Sequence, residues 1–141
     1  MELIKQTGPH CLATSAAMAL GVTSNIIHQF IGHDGTEIWW PPRSMRGVHM
    51  QEIQEYAMSI GKMFAPYEIN PAIAPDMETE AREIGRTKSA FLAGIKHHRG
   101  IIITPTHAIA FLGLQGYDPN GFYRSVMMYD VLEAWILTSL I

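Results

Sequence analysis

The chain carries little charge and a single cysteine. Asp, Glu, Lys and Arg make up 16% of its 141 residues and hydrophobic residues 48%, a balance that excludes an intrinsically disordered chain. Ten Lys and Arg residues are outnumbered by thirteen Asp and Glu residues, for a net charge of −3. The sequence therefore lacks the cationic surface that binds nucleic acid through its phosphates. The length is that of one ordinary domain, and we predict that residues 1–141 form a single domain.

Long hydrophobic runs are also missing. The longest strongly apolar stretches cover residues 101–103 and 136–141, far short of the roughly 20 residues that span a bilayer, so no membrane partner is predicted. The lone Cys11 can form neither an internal disulfide nor a thiolate metal site. The N-terminal residues do not show the basic segment and apolar run of a secretory signal. Together these features favour the cytoplasm.

The first half of the chain has the patterns of helices. An Ala-rich run over residues 11–20 predicts a helix with Cys11 at its N-terminus. A short helix is predicted through residues 26–31, with Thr23 and Ser24 as its cap, and another over residues 48–60, which carry an apolar stripe. Residues 37–47 contain two adjacent prolines and are predicted to form an ordered loop.

The middle of the chain is predicted to be mixed. Residues 63–69 predict an edge strand, and residues 70–76, with two prolines, a loop. The acidic residues 77–84 predict a helix whose carboxylates favour its positive end. Residues 90–98, after a hydroxyl cap and before a glycine, predict another helix.

The apolar period changes near the C-terminus. Residues 101–104, 106–112 and 122–129 predict three β-strands, of which the middle one is apolar on both faces. Residues 130–140 predict a closing helix. The whole chain therefore predicts an α+β fold in two layers, with a helical N-terminal half packed on an antiparallel C-terminal sheet. Ligands commonly bind along the seam between such layers.

Four residues have the side chains of a nucleophilic site. Cys11 at a helix N-terminus lies where the helix dipole favours the thiolate. His107 lies on a strand of the other half, where it can serve as the base that a nucleophilic thiol needs. Asp118 follows eleven residues later across a predicted hairpin and can orient the imidazole. The Gln6 amide and the Cys11 backbone N–H can donate to an oxyanion.

Two segments of the chain resemble the papain-like cysteine peptidases, in particular the bacteriocin-processing group. One segment runs over residues 6–21, from the glutamine through the cysteine and its Ala-rich helix, and the other over residues 107–121, from the strand histidine to the Asp-Pro pair. The resemblance implies a papain-like fold and a free-standing peptidase of the kind that phages and bacteria encode. Its substrate would be a peptide or a protein, and no metal or organic cofactor is implied.

Carried over residue by residue, the resemblance implies four roles. Cys11 would be the nucleophile, His107 the general base and acid, Asp118 its orienting partner and Gln6 the side-chain donor of the oxyanion hole. Each residue also has a plainer explanation: a buried thiol, a core histidine, a turn aspartate and an exposed terminal amide.

Further residues are candidates for contacting a substrate. His10 and His49 are predicted to line the cleft, and Trp39 with Trp40 to form an apolar wall if their loop borders the seam. The alternative is a core or exposed position for each of them. The seven histidines show no metal-ligand spacing, so no metal site is predicted.

The sequence thus favours a cysteine hydrolase acting on a peptide or isopeptide bond. Two alternatives stay open. One is a papain-like binding module without turnover, which would grip a peptide or protein partner through the same groove. The other is an acyltransferase of the transglutaminase-like type, in which an amine replaces water as the acceptor.

Overall fold

A computed structural model describes residues 1–69 and 86–140 of the chain. Within them lie four α-helices, a six-stranded antiparallel sheet and a short two-stranded ribbon, so the α+β prediction is confirmed. The helix predicted over residues 77–84 and the loop predicted over residues 70–76 both lie outside the described residues.

Three of the four helices come before the first strand of the large sheet in the sequence, and the fourth lies between two of its strands. Thr23 and Thr87 cap the second and fourth helices, because each hydroxyl oxygen accepts a hydrogen bond from the backbone N–H three residues later. Glycines in the left-handed conformation follow the first two helices, at Gly21 and Gly32. The four helices are α1 (Cys11–Leu20), α2 (Ser24–Ile31), α3 (Met50–Ser59) and α4 (Lys88–Ile95).

The strands form one large sheet and one small ribbon. The ribbon pairs β1 with β2, and the large sheet has the order β3-β8-β4-β5-β6-β7 with every neighbouring pair antiparallel. The strands are β1 (Ile38–Trp39), β2 (Ser44–Met45), β3 (Lys62–Pro66), β4 (Arg99–Ile103), β5 (Ala108–Leu112), β6 (Gln115–Asp118), β7 (Phe122–Ser125) and β8 (Glu133–Ser139).

Apolar cores cover both faces of the large sheet. Helices α1, α2 and α3 pack on one face, where Phe64 and Ile101 are buried, and α4 packs on the other, where Ile102 and Phe111 are buried. Successive residues of β4 therefore point into different cores, as the pleat of a strand requires. The predicted two layers are incomplete, because α4 adds a layer on the second face.

The prediction of a closing helix over residues 130–140 is wrong, because this segment contains β8, an inner strand between β3 and β4. Ala134 and Ile136 pack into the α4 core, whereas Trp135 and Leu137 pack against the core of α1, α2 and α3. A strand that is apolar on both faces has a continuous apolar run, and such a run fits a helical stripe equally well.

Several boundaries also differ from the predictions. The hairpin turn is predicted over residues 113–116, but Gly113 turns tightly with φ +60° and β6 already starts at Gln115. The strand predicted over residues 122–129 ends at Ser125, whose side chain caps a short 3₁₀ helix over Val126–Met128. The helix predicted over residues 90–98 is displaced toward the N-terminus, because β4 already begins at Arg99.

The predictions for residues 63–69 and 37–47 agree more closely with the structure. The edge strand predicted over residues 63–69 is confirmed as β3, which lies at one end of the large sheet. The loop predicted over residues 37–47 contains the ribbon of β1 and β2, which is only two residues long on each side. No single helix of the described part of the chain is long and apolar enough to cross a membrane, although α1 and α2, bent by 113°, would qualify together by length and composition.

Small side chains let α1 lie close to β5. Ala13, Ala16 and Ala17 of α1 are fully buried, and α1 contacts β5. Since Ile109 and Phe111 of β5 point into the α4 core, the alternation of the strand turns Ala108 and Ala110 toward α1. Alanine thus stands on both sides of this contact, and the backbones can approach each other closely.

The close contact predicts a strong effect of volume at Ala110. Ala110→Leu adds atoms to a fully buried position, and we expect the free energy of unfolding to fall by about 1–3 kcal/mol, as is usual for overpacking. Ala93→Leu is the matched control, because Ala93 is exposed on α4. Urea denaturation of both variants measures the difference, and equal midpoints would contradict the close packing of α1 on β5.

Candidate active site

Helix α1 and strand β5 bring Cys11 and His107 together. Cys11 is the first residue of α1 and is half-buried. His107 immediately precedes β5, the strand on which α1 packs. The first backbone N–H groups of a helix have no partner within the helix, and the His10 side chain does not cap them. The thiol therefore lies beside free helix amides and an imidazole.

The surroundings of Cys11 favour its thiolate. Burial alone raises the pKa of the thiol, but a hydrogen bond with His107 and donation from the backbone N–H groups of Ala108 and Leu12 outweigh it. The pKa of Cys11 therefore lies below its usual value. The donors come from a helix start and from a strand, both rigid elements, so this stabilisation is built into the fold.

His107 is held as an imidazolium. The hydrogen bond with Cys11 raises its pKa most, burial opposes this, and the hydrogen bond and charge of Asp118 raise it further, to about 9. Its Nε2 atom lies 2.8 Å from Oδ1 of Asp118, which leaves Nδ1 for the thiol. The lowered pKa of Cys11 and the raised pKa of His107 are the two shifts expected of a thiolate–imidazolium pair.

The Asp118 carboxylate is buried and accepts three hydrogen bonds. Oδ1 accepts from His107 Nε2 and from the Asn120 backbone N–H, each at 2.8 Å, and Oδ2 accepts from the Tyr129 hydroxyl, also at 2.8 Å. Burial raises the pKa of this carboxyl, but these donors outweigh burial and hold the pKa below its usual value. Asp118 is therefore charged and fixed in orientation.

Tyr129 is a site residue that the sequence did not reveal. Its pKa is raised, first by burial and then by the hydrogen bond and charge of Asp118, so the hydroxyl keeps the proton that it donates. Tyr129 lies after a 3₁₀ turn and outside both segments of the resemblance, and no local pattern marks it. The contact of the Asn120 backbone with Asp118 could have been predicted from the sequence, because an aspartate in a turn often accepts a hydrogen bond from the backbone N–H two residues later.

Gln6 is tied to the same turn and to the start of α1. Its Nε2 donates to Oδ1 of Asn120 at 2.8 Å, and its Oε1 accepts from the His10 backbone N–H at 3.2 Å. The Gln6 backbone N–H also donates to the Pro119 carbonyl at 2.7 Å. The structure thus brings all four predicted site residues to one place, around the N-terminus of α1.

The four candidate substrate-contacting residues are scattered. His10 precedes Cys11 and meets the ring of His28, with ring centroids 5.0 Å apart. His49 lies at the start of α3 and donates its backbone N–H to Glu52. Trp39 and Trp40 lie on the ribbon and at its turn, 49% and 71% exposed. Their roles toward a substrate stay predictions.

A cavity of about 620 Å³ opens beside His107 and Asp118. In the described part of the chain its walls come from the β4–β5 turn, from the end of β6 with the turn after it, and from β7 with the residues that follow. Neither Cys11 and Gln6 nor the four candidates above are among the described lining residues. The lining residues are Thr104, Pro105, Thr106, His107, Asp118, Asn120, Phe122, Arg124, Met128, Tyr129 and Asp130.

Comparisons with protein-family models, with characterised proteins and with solved structures find no match for the chain. In residues 1–69 and 86–140, no group of three or more His, Cys, Asp or Glu side chains is arranged to hold a metal ion.

The shifted pKa values predict that Cys11 reacts as a thiolate at mildly acidic pH. Iodoacetamide should alkylate Cys11 at pH 6 at least tenfold faster than a free cysteine, which has a pKa of about 8.5 and is almost fully protonated there. In His107→Ala the imidazole no longer offsets burial, so the thiol pKa should rise and the rate at pH 6 should fall. Mass spectrometry locates and times the adduct.

The control for this measurement is His97→Ala, which removes an exposed imidazole far from Cys11 in the chain. It should leave the pH profile of alkylation unchanged. An ordinary thiol titration in the unmodified protein, or the same profile in His107→Ala, would contradict the thiolate–imidazolium pair.

The buried Asp118 contact predicts a stability loss in Tyr129→Phe. Removing the hydroxyl leaves Oδ2 of Asp118 buried without its donor, which costs about 1–3 kcal/mol in the free energy of unfolding. Tyr123→Phe is the matched control, because Tyr123 is 58% exposed, and its effect should stay within about 0.5 kcal/mol. Denaturant unfolding distinguishes them, and identical midpoints would show that the Tyr129 hydroxyl contributes nothing.

Proposed function

We propose that the chain is a papain-like cysteine hydrolase that cleaves a peptide or isopeptide bond. The observation that carries the proposal is the continuous chain of contacts from the Cys11 thiol through His107 to the buried Asp118. A half-buried histidine and a buried aspartate alone would be a structural pair, but a thiol with a lowered pKa at the end of this chain has the properties of a nucleophile. The position of the thiol at the start of a helix packed on an antiparallel sheet supports the papain-like assignment.

The first half of the reaction forms a thioester. The Cys11 thiolate attacks the carbonyl carbon, the carbon–sulfur bond forms, and the carbonyl π electrons move to the oxygen. The Cys11 backbone N–H and a Gln6 Nε2–H donate to this oxyanion. When the carbon–nitrogen bond breaks, the Nδ1 proton of His107 passes to the leaving amine.

The second half releases the acid. His107, now neutral, takes a proton from a water molecule, whose oxygen attacks the thioester carbon. The carbon–sulfur bond breaks, the thiolate returns, and the imidazolium pairs with it again. Asp118 keeps Nδ1 of His107 directed at the sulfur through both halves, because it holds the opposite ring nitrogen.

The proposed substrate is a peptide or a segment of a protein, and the proposed compartment is the reducing cytoplasm. The substrate is proposed to approach the site along the cavity beside His107, whose described lining includes His107 and Asp118 but neither Cys11 nor Gln6. A reducing compartment keeps Cys11 as a free thiol, as the mechanism requires.

Hydrolysis predicts cleavage that depends on both Cys11 and His107. Incubation with a mixed peptide library, followed by mass spectrometry, should reveal new termini that are absent with Cys11→Ala. His107→Ala should lower the cleavage rate by about 100-fold or more, the usual contribution of general acid–base catalysis. His97→Ala, which alters an exposed histidine, should cleave at the normal rate.

Two other outcomes would change the assignment. Products that carry an added amine instead of a new carboxylate would show acyl transfer through the same thioester. Peptides that bind equally well to the protein and to Cys11→Ala, without any cleavage, would contradict the hydrolase and indicate a binding module.

A further inference from the structure

The turn after β6 contacts both parts of the candidate site at once. On one side, the Asn120 backbone N–H donates to the Asp118 carboxylate at 2.8 Å. On the other side, the Asn120 side-chain oxygen accepts from Nε2 of Gln6 at 2.8 Å. The N-terminal segment lies tightly against this turn, because a Cβ at Gly121 would stand only 3.2 Å from the Lys5 side chain.

We propose that Asn120 is a positioning residue that orients the Gln6 amide toward the oxyanion. The proposal rests on the proposed hydrolase function and adds to it a residue outside the Cys11, His107, Asp118 and Gln6 set. One turn would then set the direction of the imidazole through Asp118 and the direction of the oxyanion donor through Asn120.

The bonding capacity of the Gln6 amide supports this role. The group has one acceptor oxygen and two N–H donors. Its Oε1 accepts from the His10 backbone N–H at 3.2 Å, one residue before Cys11, and one Nε2–H goes to Asn120. A single Nε2–H is left, on a group already held beside the start of α1, where the Cys11 N–H is also free.

Two contacts are needed because the terminal torsion of a glutamine is soft. Its amide plane rotates over a broad, roughly two-fold range when nothing fixes it. The contact with His10 alone fixes the position of Oε1 but not the plane, whereas the contact with Asn120 fixes the plane as well. An oxyanion donor that is oriented in advance is worth more to the reaction than one that must be ordered during it.

Two reagents separate this role from a merely structural one. p-Nitrophenyl acetate acylates the Cys11 sulfur through a tetrahedral oxyanion and releases p-nitrophenolate, so its rate depends on the oxyanion donors. Iodoacetamide alkylates the same sulfur by displacing iodide, without an oxyanion, so its rate depends only on the thiolate. The ratio of the two rates therefore reports the oxyanion donors separately from the thiolate–imidazolium pair.

We expect Asn120→Ala to lower the acylation rate about tenfold and to leave the alkylation rate unchanged. A tenfold loss is smaller than the about 100-fold or more that removal of an oxyanion donor costs, because Gln6 itself remains. In a Gln6→Ala background, Asn120→Ala should have no further effect on acylation. Asn25→Ala, at an exposed position of α2, is the control and should change neither rate.

Asn120→Ser is the second variant, since serine suits a turn but its shorter side chain does not reach Gln6. It should behave as Asn120→Ala does. If both variants lose alkylation and acylation together, or if Asn120→Ala still lowers acylation in the Gln6→Ala background, Asn120 does not act through Gln6 and the proposal is overturned. If the unmodified protein reacts with either reagent no faster than a free cysteine, the proposed hydrolase function itself fails.

Discussion

The buried carboxylate of Asp118 is the interaction on which the candidate site depends. A charge with so little exposure is tolerated only when donors replace the water that it has lost. Here the donors come from three directions: the imidazole before β5, the backbone of the following turn and the hydroxyl of Tyr129. Satisfying one carboxylate therefore fixes how β5, the turn after β6 and the segment before β8 lie relative to one another.

The cysteine and histidine of the site were detectable because their chemistry limits the residue type. A thiolate, a base, an orienting carboxylate and an amide donor allow few substitutes, so Cys11, His107, Asp118 and Gln6 stand out in a sequence with one cysteine. The contact of Tyr129 with Asp118 and the contact of the Asn120 side chain with Gln6 were not detectable in this way. A hydroxyl or a side-chain amide that meets a partner distant in the chain leaves no local pattern.

The helices and strands differ in the same way in how well the sequence predicts them. Helices α1, α2 and α3 were predictable because caps, glycine stops and a one-sided apolar stripe are local signals. Strand β8 was not, because Ala134 to Leu137 are apolar in succession and pack into two different cores. The run forms a strand because β3 and β4 pair with it on either side. The sequence of the run alone does not identify these pairing partners.

The alanines between α1 and β5 explain why the thiolate can exist where it does. A half-buried thiolate loses part of its hydration, which by itself raises the thiol pKa. The loss is offset first by the hydrogen bond with His107 and then by the backbone N–H groups of Ala108 and Leu12. These two N–H groups reach one sulfur atom only because helix and strand lie close together. Larger side chains at the contact would separate the two backbones and move these N–H groups away from the sulfur. The small residues between α1 and β5 are therefore needed to stabilise the Cys11 thiolate.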